Sequence, residues 1–100
     1  MEIYIAVAAE GGKLMKIIEK KILQQYFRDV LNEKKTFELR KDEDNIQEND
    51  LLILREYDGE DYTGDMIMRK VSYVLRNCPK YGLMDGYCII GMTPIFQEES

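Results

Sequence analysis

At residue 34 the apolar period of this chain changes from helical to alternating, and it does not change back. Before that point Leu23, Tyr26, Phe27, Val30 and Leu31 recur at the i, i+3, i+4, i+7, i+8 spacing of an amphipathic helix, which sets them against a core. Asn32 is suited to stop the helix, because asparagine tolerates the left-handed backbone that often ends one. KKTFELR (34–40) then alternates as a strand does, with Thr36, Glu38 and Arg40 on one face and Phe37 and Leu39 on the other. One helical stretch followed by strands predicts an α+β domain: a small, mostly antiparallel sheet or β-barrel with one or two packed helices.

Three further strands are expected. LLILREY (51–57) is apolar on both faces at its start, as in a closed or covered sheet. Asp58 and Gly59 open a hairpin loop that runs to Gly64. Residues 65–76 resume as a long strand, with Ile67, Val71, Tyr73 and Leu75 on one side. Residues 77–86 read as a loop and YCIIGM (87–92) as the closing strand, while the acidic DEDNIQEND (42–50) reads as a solvated loop. The first fourteen residues stand apart, with a short apolar run ahead of Gly11 and Gly12. They are either an extra edge strand at residues 3–7 or an upstream extension. In the second case translation starts at Met15, because Glu10, Gly11, Gly12 and Lys13 can be encoded by a purine-rich run of the kind that precedes a bacterial start codon. The expected division is therefore an N-terminal extension at 1–14, a domain at 15–93 and a tail at 94–100.

Composition narrows the chemistry. A length of 100 residues allows one modest core, and 45% hydrophobic with 33% charged residues is a globular mixture. The chain has no histidine, which excludes Ser-His-Asp and Cys-His catalysis and histidine-built zinc sites, and no glycine-rich phosphate loop. Neither a metal nor a cofactor is expected. A net charge of −5 argues against sequence-blind binding along a nucleic-acid backbone, so any such contact is local. No apolar run reaches bilayer length and no secretory pattern opens the chain. A cytoplasmic protein is expected, with Cys78 and Cys88 reduced.

KKTFELR resembles the G-x-K-x-x-E-x-R signature of ASCH domains, small members of the PUA-like β-barrel superfamily, with Lys35, Glu38 and Arg40 on its charged positions. YFRDVLNEKKTFELR, LLILREYD, YTG, KVSYVLR, YGLMDGY and IIGM follow in the order and spacing of a bacterial and phage branch whose function is unassigned. There are two departures. The signature glycine falls at Glu33, so the turn before the strand is expected to avoid the positive φ that glycine supplies. A His-x-Leu-Lys opening common in that branch is replaced by Ile18, Glu19, Lys20 and Lys21.

The resemblance implies RNA or nucleotide recognition in a cleft bearing the charged signature. The residues agree with that on chemical grounds. Glu38 and Arg40 are two apart on one strand face, a carboxylate accepts from an amino edge, and a guanidinium donates in parallel to phosphate or ring acceptors. Lys35 has the opposite parity and joins them only where the chain turns or bulges. Lys34 and Lys41 add local positive charge, and Tyr81 is a candidate stacking platform. The plain alternative is an ion pair closing one end of the barrel. Arg55 and Tyr57 read as a rim salt bridge and a half-buried ring, and Met66 and Met68 as filler. A second function follows from the resemblance, since some ASCH-like proteins are amidohydrolases that deacetylate a modified cytidine with a lysine, a threonine and a glutamate. Here that assigns Lys35, Thr36 and Glu38 as catalytic candidates, although Glu38 stands where the relatives' threonine falls. A third is a protein-interaction role for the acidic loop, with Glu43, Asp44 and Glu48 as its surface.

Overall fold

The computed structural model describes residues 4–8 and 14–95. Strands β1 (Tyr4–Ala8) and β2 (Leu14–Leu23), helix α1 (Gln24–Leu31), and strands β3 (Phe37–Lys41), β4 (Leu51–Tyr57), β5 (Tyr62–Leu75) and β6 (Tyr87–Pro94) follow in that order, with a 3-10 turn at Pro79–Tyr81. The hydrogen-bonded order is β1-β2-β4-β5-β6-β3. All neighbours are antiparallel except β2 and β4. Among the described residues five of the strands curl into a half-barrel with one α-helix packed on it, the α+β architecture that the change of period predicts. No helix among the described residues is long and apolar enough to cross a membrane.

The inner face gathers Ile18 and Ile22 from β2, Leu52 and Leu54 from β4, Val71 from β5, and Cys88, Ile90 and Met92 from β6. Helix α1 closes it with Phe27 and Val30. The other residues of the helical pattern are not in the core: Leu23 ends β2 and is exposed, and Tyr26 and Leu31 are exposed because the eight-residue helix presents only two positions to the curved sheet.

Strand β5 departs from simple alternation. Its pairing with β6 shifts between Val71 and Tyr73, so Ser72 is the extra residue of a bulge. Val71 and Val74 both point inward, and Tyr73 and Leu75 turn outward rather than sharing a face with Ile67 and Val71. Gly91 accommodates the bulge, since a Cβ there would lie 2.9 Å from Ser72 Oγ.

The loop at 42–50 is not simply solvated. Ile46 is buried in the core, and all three aspartates are tied to the barrel. Asp42 takes Arg76 Nε at 2.5 Å, and Arg76 also donates to the Ile46 carbonyl at 2.8 Å. Asp44 pairs with the buried ammonium of Lys20. Asp50 accepts the amides of Lys16 at 2.9 Å and Gln47 at 2.8 Å. The loop thus carries the counter-charges for lysines and an arginine that the curled sheet turns inward. Asp42 holds Arg76 more firmly protonated, while burial pushes the neighbouring Cys88 thiol up, with Asp42 adding to the effect and Arg76 and Lys20 opposing it. Both cysteines are free.

The helix stops at Asn32, but its left-handed residue is the next one. Asn32 has φ −86° and Glu33 has φ +60°. The Glu33 amide donates to Val30 (3.0 Å) and the Lys34 amide to Asp29 (2.9 Å), the paired bonds of a Schellman ending. The turn therefore keeps the conformation that glycine favours, without glycine.

Three consequences are measurable. Glu33→Gly relieves the left-handed strain and is expected to raise stability by about 1 kcal/mol in denaturant unfolding. Asp50→Ala strands two amides and is expected to cost about 3 kcal/mol by the same measurement. The third concerns Cys88, which folding holds in its protonated form. The unfolded thiol ionises first as pH rises, so this contribution is complete below the ordinary thiol range and is lost above it. Between about pH 8 and 10 wild-type Tm should fall more steeply than that of Cys88→Ala, and parallel curves would contradict the burial effect.

Candidate ligand cleft

The charged face of KKTFELR is the inner one. Glu38 and Arg40 pair with the buried Ile90 and Cys88 of β6, so they share the core side of the sheet, and Glu38 is only 3% exposed. Phe37 and Leu39, the apolar half of the alternation, are 47% and 56% exposed. The polarity of this strand is thus reversed relative to an ordinary half-buried strand.

Such a carboxylate is tolerable only with partners. Oε1 accepts Lys35 Nζ, and Oε2 accepts Arg40 Nε at 2.8 Å. Lys35 reaches it because the chain is still irregular at residues 35 and 36 and the strand begins at Phe37. The turn that starts at Glu33 brings the amides of both Lys34 and Lys35 onto the Asp29 carbonyl, which aims the lysine back over the strand. Its ammonium lies 4.9 Å from the ring centre of Tyr26 and 5.6 Å from that of Phe37.

Arg40 has a second task. The amide of Met92 donates to Thr36, and that of Asp42 to Gly86, so the ladder to β6 uses the even residues of β3. The main-chain groups of Phe37, Leu39 and Lys41 therefore face the strand's other edge. Among the described residues no strand pairs there, and β3 is last in the sheet. The gap toward β2 is crossed by a side chain instead: Arg40 Nη2 donates to the Lys21 carbonyl at 2.7 Å.

Beside this seam lies a cleft of about 460 Å³, lined by Ile22, Leu23, Tyr26, Lys35, Phe37, Glu38, Leu39 and Arg40. It brings together three of the residues singled out in the sequence: Lys35, Glu38 and Arg40. Lys34 is exposed and does not line it. Thr36 lines a neighbouring hollow of about 310 Å³ with Val30, Glu33, Lys35, Arg69, Met92, Thr93 and Pro94. Tyr81 is 79% exposed on the 3-10 turn, with Lys80 Nζ 5.1 Å from its ring centre, and is not part of the cleft wall. Arg55 and Tyr57 belong to the rim, as their alternation predicts. Arg55 bonds Glu19 at 2.9 Å and lies 3.9 Å over the Tyr62 ring, and Tyr57 meets Tyr62 edge to face.

Sequence reasoning missed the walls. Leu23 and Tyr26 were read as core because they are apolar and periodic, Phe37 and Leu39 were given only the face opposite Glu38, and the cleft takes all four because α1 and β3 flank an unclosed seam. One signal was available: apolar residues that alternate with buried charges must themselves face outward. Among the described residues no cluster of three or more cysteine and carboxylate groups is arranged to hold a metal ion.

A search among curated proteins returned no match. A family model described as a domain of unknown function, DUF3850, matches residues 17–92. That span runs from within β2 to within β6 and includes every residue of the cleft wall, and the chain belongs to the DUF3850 family.

Proposed function

We propose that this protein is a binding module that takes an RNA base or a free nucleotide into the cleft between α1 and β3. The observation that carries this reading is the pairing of ring walls with fixed cations. Tyr26 and Phe37 flank Lys35, while Glu38 holds Lys35 and Arg40 in place from below. A planar heterocycle needs both: faces to stack on and directional polar groups at its edge. The cleft is within the range of small-molecule sites. The net charge of −5 fits capture of one splayed base better than tracking of a duplex. The resemblance of KKTFELR to the ASCH signature supports the same reading, and a cytoplasmic site of action goes with it.

The amidohydrolase reading has less behind it. It needs Lys35, Thr36 and Glu38 around one bond, whereas Thr36 lines the neighbouring hollow and both Glu38 oxygens are engaged. The acidic-loop reading also loses ground, because Asp44 is used internally against Lys20.

The test is titration of isotopically labelled protein with nucleosides, acetylated cytidine, nucleotides and short single-stranded RNAs, following backbone amide shifts and hydrolysis products together. Saturable shifts at residues 22–26 and 35–40 are expected, weakened at least about tenfold in a folded Arg40→Ala variant. Shifts elsewhere, or none with any compound, would overturn the proposal. Release of acetate that Lys35→Ala abolishes would put the hydrolase in its place.

A further inference from the structure

The carboxylate that the alternation offers as a ligand acceptor is occupied by the protein itself. Glu38 is 3% exposed, Lys35 takes one oxygen and Arg40 the other, so although it lines the cleft its carboxylate is engaged first by the protein's own cations. What remains are donors. An ammonium has three N–H groups and Lys35 commits one to Glu38. Arg40 uses Nε on Glu38 and Nη2 on Lys21, and its Nη1 has no partner among the described residues. The three side chains carry a formal charge of +1, and the aromatic and aliphatic residues Tyr26, Phe37, Ile22, Leu23 and Leu39 share the cleft wall with them.

On the nucleotide-binding reading above, we infer that the cleft selects its heterocycle by ring carbonyl oxygens, taking oxo-bases of the hypoxanthine, guanine and uracil type in preference to adenine. A ring carbonyl accepts from the Lys35 ammonium and the Arg40 guanidinium at once. An exocyclic amino group at the same place sets donor against donor and leaves the protein's N–H groups unpaired in a partly dry site. A site built to hydrogen-bond one group discriminates strongly against an analogue that lacks it. Glu38 is then a positioning residue: it fixes the two donors and does not touch the base.

Inosine and adenosine 5′-monophosphates give a matched comparison, because ribose, phosphate and ring size are common while the carbonyl is exchanged for an amino group and the adjacent ring N–H for an unprotonated nitrogen. Calorimetric titration of the full chain is expected to show inosine monophosphate binding at least about tenfold more tightly. Arg40→Lys keeps the charge but loses the fork, and should reduce that preference to about threefold or less in protein shown to be folded by its amide spectrum, with some loss of Tm because the bond to Lys21 goes with the fork. Glu38→Gln, which removes the charge and leaves an acceptor for only one of the two donors, should also erode the preference; Arg40→Lys and Glu38→Gln variants that both keep the full ratio would overturn the assigned roles. Equal affinities in the wild-type protein, or a preference for adenosine monophosphate, would overturn the oxo-base selection while leaving nucleotide binding intact. Binding of neither nucleotide, with no amide shifts from guanosine or uridine monophosphate, would remove the binding reading and this inference together.

Discussion

The buried carboxylate of Glu38 organises one whole side of this molecule. A charge this deep is tolerated only if cations reach it, and the two that do come from different directions: Lys35 from the irregular chain before β3 and Arg40 from two residues along it. Each then has a further role. Lys35 stands between two rings, and Arg40 ties the last strand of the sheet to the carbonyl of Lys21 across the unclosed seam. Glu38 is therefore part of how the half-barrel is held and part of how the cleft is shaped. The plain alternative of a structural ion pair and the reading of a site describe the same contacts from two sides.

The same economy recurs at the loop between β3 and β4. The curled sheet turns Lys20 and Arg76 toward the inside, and Lys16 reaches the same loop from the start of β2. The loop returns Asp44, Asp42 and Asp50 to meet them. Satisfied charges of this kind fix register more than they add stability, because a strand shifted by one residue would leave each of them stranded.

Legibility in the sequence followed local periodicity and failed where charge was buried. Alternation in KKTFELR announced a strand and its two faces, correctly from Phe37 onward, although residues 34–36 lie outside the strand. Which face was inside did not follow, because that depends on cations supplied by the fold. The same effect hid β2, where Lys20 stands in the buried row of Ile18 and Ile22 and interrupts an otherwise readable pattern. Tyr73 and Leu75 were placed on the wrong side for a different reason: a bulge at Ser72 is invisible to a period count. Of the site, the charged floor could be read and the ring walls could not, since the position of α1 against β3 is a tertiary fact. The left-handed turn at Glu33 shows the limit of reasoning from residue type, because the paired bonds to Val30 and Asp29 held a conformation that the side chain disfavours.

The bulge gives β5 a property that its neighbours lack. One strand serves two inward rows of opposite parity, with Ile67, Arg69 and Val71 before it and Val74 and Arg76 after it. Substitutions along such a strand act one position at a time. Loss of Ser72 would leave a regular ladder, with Tyr73 still opposite Gly91 and Val74 still opposite Ile90, whereas loss of a paired residue would put one inward row out of step with β6. The bulge is thus the point at which the strand can change length by one residue without turning a buried row outward.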